Sequence, residues 1–311
     1  MTTRFERKTA LLAKIEAEYG TDSVPSGGAN AMLIQNLQIV PLEAEEKDRQ
    51  LYQSFLGQQG KLLAGEHVSA TFEAELAGSG TAGVAPAFGP LLRVCGLAET
   101  IVADTSVTYA PVSGGFESVS AYTNLDGVNH KFLGARGNVK LTLSAREIPK
   151  LEFSLRGLLV PAVDAALPAQ TLTAFKTPLI VNKANTPTFD LHGYPAIAES
   201  LELDLGNDVQ YRGLIGEESI RIVDRLMTGR AVIEADTLAN IDWFAIARAR
   251  TRGELDVVHG TVAGNIVTIN CPGVEIGAPA YGATQKIRNV TLPLLPVPTA
   301  AGNDEITLAF T

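Results

Sequence analysis

Short segments of apolar–polar alternation recur along the chain and restrict its fold more than any other feature. In residues 68–76 every even-numbered residue is apolar, and the residues between are Ser, Thr or Glu. The same period of two occurs over residues 139–143, 151–155, 201–205 and 290–294. A period of two places alternate side chains on opposite faces of a strand. The sequence therefore predicts a mainly β fold built from half-buried strands.

The N-terminal segment, residues 1–30, is predicted to be a helix followed by a connecting arm. Phe5, Leu12 and Ile15 recur at helical spacing, which places them on one face of a helix over residues 4–19. A terminal helix of this kind packs on its own domain or on a neighbouring subunit.

The rest of the chain divides into two units of similar order. Residues 161–198 contain five prolines and no sustained period, which predicts a linker between a first unit, residues 31–160, and a second unit, residues 199–311. Each unit is predicted to run strand, long loop, strand, helix, hairpin, strand. The two helices are expected within residues 86–97 and 240–249.

Matching spacings favour an internal duplication. Leu37 and Val68 are 31 residues apart, as are Leu201 and Val232. The second unit lacks about 27 residues after this block, where the first has a Gly-rich loop and the segment after its helix. The alternative is chance similarity between two strand-rich segments.

The long connection in the first unit, residues 42–65, is unusually apolar for a loop. Such a segment needs a surface to cover it, so it predicts either self-association or folding back onto its own sheet. Residues 207–227 are its counterpart in the second unit. The candidate contact residues of the first loop are Leu51, Tyr52, Phe55, Leu56, Leu62 and Leu63.

Residues Gly78–Gly83 match G-x-G-x-x-G, the pattern of a dinucleotide-binding turn. That turn requires a buried parallel strand before it and a helix that begins on it. Here the preceding strand alternates polar and apolar residues, and Pro86 and Pro90 delay the helix. The context favours a flexible surface loop over a nucleotide site.

No other pattern points to catalysis, a metal or a cofactor. The four histidines are not paired at metal-ligand spacing, and Cys95 and Cys271 are expected to be reduced and buried. The acidic residues between Glu43 and Asp48 are expected to form a solvated face.

The formal net charge is −9, which excludes a general nucleic-acid-binding protein. No apolar stretch is long enough to span a membrane, and the charged N-terminus is unlike a signal peptide.

In the order and spacing of three stretches, the sequence resembles the tail tube proteins (major tail proteins) of long-tailed phages, especially those of Mu-like siphophages with non-contractile tails. The resemblance covers the first half in detail and the second half mainly in its strand pattern. The three stretches are Leu51–Gly57 leading to Gly65–Leu76; Gly78–Gly83 with Pro86 and Gly89–Gly96; and Tyr109–Pro111 through Tyr122, Asp126, Gly127, His130 and Leu133–Gly137.

The resemblance implies a β-sandwich-like tube domain with a flanking helix, whose sheets join between subunits into a β-barrel lumen. Together with the duplication, this predicts two such domains in tandem, each with its helix. It implies stacked rings that carry phage DNA as non-specific cargo, with residues 42–65 and the N-terminal arm at ring-to-ring contacts. Family rings usually contain six tube domains, so two per chain implies homotrimeric rings, and a homohexamer is the alternative. The other implied partners are the tape-measure, tail-terminator and distal tail proteins, and the location is the virion tail after assembly in the host cytoplasm.

The acidic balance fits a conduit, because DNA should slide through and not adhere. A net negative lumen is therefore expected. The competing functions are another tail structural protein, such as a terminator or baseplate hub, and a nucleotide-binding enzyme that uses Gly78–Gly83.

Overall fold

The computed structural model describes residues 3–311, which form 21 strands and two short helices. The mainly β prediction is confirmed. The strands of the first half are β1 (Thr9–Ile15), β2 (Ala31–Met32), β3 (Gln35–Asp48), β4 (Lys61–Glu75), β5 (Leu97–Val102), β6 (Ser106–Pro111), β7 (Val119–Leu125), β8 (Val128–Ser144), β9 (Lys150–Leu159) and β10 (Val163–Asp164). Those of the second half are β11 (Thr188–Leu191), β12 (Tyr194–Pro195), β13 (Ala198–Asp204), β14 (Asn207–Leu214), β15 (Glu217–Arg225), β16 (Thr228–Glu234), β17 (Gly253–His259), β18 (Val267–Ile276), β19 (Ala280–Thr284), β20 (Ile287–Pro296) and β21 (Thr307–Phe310).

Alternation along the strands determines which side chains enter the core. In β4 the even-numbered residues from Val68 to Ala74 are buried, whereas the Ser, Thr and Glu side chains between them face outward or lie half-buried. Phe72 stacks on Phe153 of the neighbouring β9, with ring centroids 5.6 Å apart. Asp126 and Gly127 form the turn that joins β7 to β8, and both residues have positive φ, as a tight hairpin turn requires.

Residues 4–19 do not form the predicted helix, because β1 is a strand that pairs with β7 along its whole length. Leu11 and Ala13 lie in the main core, whereas Leu12 lies in a separate small cluster with Tyr122. Both faces of β1 are covered, so four consecutive residues are buried and no period of two marks the strand.

The two helices are shorter than predicted. α1 (Gly89–Val94) begins with Pro90 in its first turn, and α2 (Trp243–Ala249) is capped by the Asp242 side chain, which accepts a hydrogen bond from the Ala245 N–H. Along the chain, α1 lies between β4 and β5, and α2 lies between β16 and β17.

The pairing of strands follows the same order in the two halves. In the first half the order is β3, β4, β9, β8, β7, β1, and in the second half it is β13, β16, β20, β18, β17, β11. All neighbours are antiparallel. β11 lies within residues 161–198, and it pairs with β17 as β1 pairs with β7.

A β-bulge recurs at the same place in this order. Between β7 and β8 the paired residues step from Val119↔Ala135 to Ala121↔Phe132. Between β17 and β18 they step from Gly253↔Val274 to Leu255↔Cys271, with two residues again opposite three. Bulges are specific features of a ladder, so the match extends beyond strand order.

The two halves join edge to edge at two places. The C-terminal part of β8 pairs with β13, and β21 pairs with β6. Phe310 of β21 packs edge-on against Phe88 and Tyr109 of the first half, with centroid distances of 5.9 and 5.8 Å. One connected group of buried residues spans both halves.

Between residues 3 and 311, no helix has the length and hydropathy needed to cross a membrane.

Candidate assembly surfaces

The long connection predicted over residues 42–65 is a projecting β-hairpin, and only its distal turn is irregular. β3 continues to Asp48 and β4 begins at Lys61, so the two strands remain paired far beyond the sheet that they start from. We call residues 42–65 the first arm. All six predicted contact residues are exposed: Leu51 48%, Tyr52 105%, Phe55 66%, Leu56 102%, Leu62 61% and Leu63 48%.

Charged residues occupy the stem of the first arm. Lys61 Nζ lies 2.6 Å from Glu46 Oε2 and 3.7 Å from Asp48, and Lys47 pairs with Glu45. These exposed ion pairs stabilise the stem only weakly. The apolar tip has no cover, so the arm does not fold back onto its own sheet.

β14 and β15 form a second arm, residues 207–225, at the equivalent place between β13 and β16. This second arm lies against the first half of the chain. Arg136 Nη1 donates to Ile220 O at 2.9 Å, and Arg156 Nη1 donates to Val209 O at 2.7 Å. Tyr19 Oη accepts a hydrogen bond from Ile220 N at 2.5 Å.

Ring stacking and an ion pair also hold the second arm against the first half of the chain. Tyr211 stacks on His67 of β4 with centroids 5.0 Å apart and planes 12° apart. At the base of the arm, Arg225 Nη2 lies 2.9 Å from Glu305 Oε1, and both side chains are about nine-tenths buried. Arg225 Nη1 also donates to Val112 O at 2.8 Å.

The Gly-rich loop serves packing between the two halves. Gly80 N donates to Gly264 O at 2.9 Å, and a Cβ on Gly78 would lie 2.1 Å from that same oxygen. Gly80 and Thr81 are exposed, as expected of a surface loop, but its backbone also packs on the turn between β17 and β18, because the glycines permit a close approach. α1 begins only at Gly89, so no helix starts on the loop to bind a phosphate.

The buried carboxylate of Glu16 is held by hydrogen bonds from its surroundings. Glu16 is buried and accepts four hydrogen bonds, from Ser118, Ser120, Gly20 and Gly134. Such a set of donors replaces the water that burial removes.

Cys95 and Cys271 are free and buried, as expected, and burial raises the pKa of the Cys271 thiol to about 12. In the part of the chain that the structure describes, no group of three or more His, Cys, Asp or Glu residues could hold a metal ion.

The predicted contact residues of the N-terminal arm separate into two sets. Phe5 is exposed and its backbone N–H donates to Asp126 Oδ2 at 2.7 Å. Leu12 is buried and Ile15 packs against the main core, because both belong to β1. Of the three, Phe5 alone is free to contact another chain.

A family model described as "Phage tail tube protein" matches residues 6–311. The chain belongs to the phage tail tube protein family. The match runs through both halves of the chain. It therefore extends the family assignment to the second half, which resembles the family mainly in its strand pattern. Its family makes it a structural component of a phage tail. A search of curated proteins gave no match.

Proposed function

We propose that this tail tube protein self-assembles into rings that stack into the tube of a long, non-contractile phage tail, through which the genome is ejected. The observation that carries the proposal is the first arm, which presents six exposed apolar residues on a projecting hairpin. Contiguous exposed apolar surface of this kind marks a protein–protein contact. We assign the arm, together with Phe5, to contacts between stacked rings.

The repeated strand order supports two tube domains in one chain. In this proposal residues 31–160 and 199–311 contain the cores of the two domains, and three chains supply the six domains of a ring. A homohexamer is the alternative, and six chains per ring would contradict the inference of trimers from duplication. The edge-to-edge junction of β8 and β13 supports sheets that continue from one domain to the next.

The net charge of −9 supports passage of DNA as non-specific cargo. The other proposed partners are the tape-measure protein inside the tube and the terminator and distal tail proteins at its ends, in a virion assembled in the host cytoplasm. A strongly basic lumen in an image of the tube would contradict the conduit mechanism.

Negative-stain microscopy of the purified protein at high concentration tests the proposal. We expect tubes from the natural sequence, and single rings when a short Gly-containing turn replaces residues 42–65. Mass per ring distinguishes three chains from six. Single rings from the natural sequence favour a terminator or hub, and monomers at all concentrations would overturn assembly altogether.

A further inference from the structure

Several strands of this chain pair on one side only, and two of them, β3 and β19, end the two repeated sets of strands. Within residues 3–311, β3 pairs only with β4 and β19 pairs only with β20. Four of the five residues of β19 are exposed, including Tyr281 at 55%. Open edges present unpaired backbone donors and acceptors, which proteins protect by charge, by proline or by pairing.

The junction between the two halves shows how such edges are closed. Residues 140–144 of β8 pair with residues 200–204 of β13 in an antiparallel ladder, from Lys140↔Asp204 to Ser144↔Ser200. The leucines on one face of this ladder are buried at 3% exposure or less. Those leucines are Leu141, Leu143, Leu201 and Leu203.

β19 is the second-half counterpart of the β8 segment. The ladder of β8 with β9 includes Arg136↔Arg156, and the ladder of β18 with β20 includes Glu275↔Leu295, so the residue numbers differ by 139 on both strands. On this count Leu151 of β9 corresponds to Val290 of β20. Leu151 pairs with Leu141 and Val290 pairs with Tyr281, which places β19, Ala280–Thr284, in the position of residues 140–144.

β3 is the first-half counterpart of β13 by the same reasoning. Leu155 pairs with Ala70, and its counterpart Leu294 pairs with Gly229. Ala70 in turn pairs with Ile39, and Gly229 pairs with Leu203. Residues 38–40 of β3 therefore correspond to residues 202–204 of β13, and a bulge between Gln35 and Gln38 interrupts β3 just before them.

We propose that β19 of one chain pairs with β3 of a second copy in an antiparallel ladder that repeats the internal junction. Tyr281 then lies opposite Ile39 and Ala280 opposite Val40. This inference rests on the proposed assembly and names the strands that close the ring. The contact is head-to-tail, so every copy supplies one edge of each kind and a closed ring has neither edge free.

The chemistry of both edges favours a second copy of this chain. Neither residues 36–40 nor residues 280–284 contain a charged side chain, so no like charges oppose pairing. Pro41 and Pro279 would face each other at one end of the ladder, where neither can donate a backbone hydrogen bond. Tyr281 already contacts Phe244 of α2, with centroids 5.3 Å apart, and the partner strand would cover its open side.

Disulfide trapping in assembled tubes tests the register. Val40→Cys and Ala280→Cys are placed in one chain, with the buried native cysteines unchanged. Residues opposite each other in a ladder have Cα atoms about 4.5–5.5 Å apart, within reach of a disulfide. Ser144→Cys with Ser200→Cys is the internal control, because those residues are paired within the chain. Val40→Cys with Thr284→Cys is the off-register control, about 13 Å apart in the proposed ladder.

On non-reducing gels we expect the 40–280 pair to give covalently linked chains, with a disulfide yield comparable to that of the internal control. The 40–284 pair should give at least tenfold less disulfide. Tubes that form without the 40–280 link, while the internal control oxidises, would overturn the ladder and leave the proposed function standing. Preferential linking of the 40–284 pair would overturn the register. If the natural chain forms no assembly, the proposed function fails and the ladder fails with it.

Discussion

The two arms occupy the same place in the strand order and differ in what covers them. The second arm bends at Gly206, which has a φ of +68°, and lies on the first half, where Arg136, Arg156 and Tyr19 bind its backbone. The first arm extends the β3–β4 ladder beyond its sheet, and the apolar residues at its tip are exposed. An arm of this fold therefore lies flat where a domain face is available to receive it. The chain provides a face for one arm and leaves the other for a neighbouring molecule.

Substitutions at the tip of the first arm test this comparison most strongly. Tyr52→Ser with Leu56→Ser should leave the free energy of unfolding unchanged, because both side chains are fully exposed. Tube assembly should fail, since each buried apolar side chain contributes roughly 1.5–3 kcal/mol to a contact. Sedimentation measures assembly, and we expect the concentration required for tubes to rise at least 100-fold.

The matched control is at the tip of the second arm. Leu214 and Ile215 are also exposed, at 52% and 109%. Leu214→Ser with Ile215→Ser should change assembly less than tenfold. Equal losses of tube assembly from the two double substitutions would show that the two arm tips contribute equally to assembly, which would contradict the difference between the arms.

A substitution at the base of the second arm should lower the free energy of unfolding, in contrast to the substitutions at the arm tips. Glu305→Ala leaves the Arg225 guanidinium buried and without its carboxylate, which should cost about 3–5 kcal/mol in the free energy of unfolding. Urea unfolding followed by the fluorescence of the single tryptophan, Trp243, measures it. Arg221→Ala is the control, since its pair with Glu217 is exposed and should cost less than about 1 kcal/mol. Equal costs would mean that the arm is not held at its base.

The half-buried strands were predictable from their period of two, whereas β1, which is covered on both faces, was not. Residues 68–76 and 151–155 carry a period of two because one face meets the core and the other meets water. β1 lacks that period because apolar residues lie on both of its faces. Its apolar positions fit a helical spacing by coincidence.

The equal spacing of 31 residues that favoured duplication does not describe the pairing. Ile39 pairs with Ala70, whereas its counterpart Leu203 pairs with Gly229, so the first hairpin is longer by five residues. Strand order and the recurring bulge carry the similarity instead, and both depend on contacts between distant segments.

The edge strand β19 gave no sequence signal. Its turn into β20 places Gln285 and Lys286 at positive φ, where Asn or Gly usually marks a hairpin. Residues 280–284 are also short and contain two small alanines and a glycine, so the period of two is lost.

The smallest expected effect is the pH dependence of stability contributed by Tyr19, which contacts the second arm. Burial raises the pKa of Tyr19, with the adjacent Arg136 opposing the shift. The folded state therefore holds this proton more tightly than the unfolded state, whose tyrosine pKa is about 10. Protonated Tyr19 therefore stabilises the folded state fully below pH 10, and this stabilisation is lost as the pH rises through the raised pKa.

Tyr19→Phe keeps the ring beside Arg136 but removes the hydrogen bond from Ile220 N, which should lower the free energy of unfolding by about 1 kcal/mol at pH 7. Above pH 10 the difference in stability between the natural chain and the variant should narrow, because only the natural chain loses this proton. A constant difference between pH 8 and pH 11 in urea unfolding would show that folding does not raise the pKa of Tyr19, and equal stabilities at pH 7 would show that the phenol does not hold the second arm.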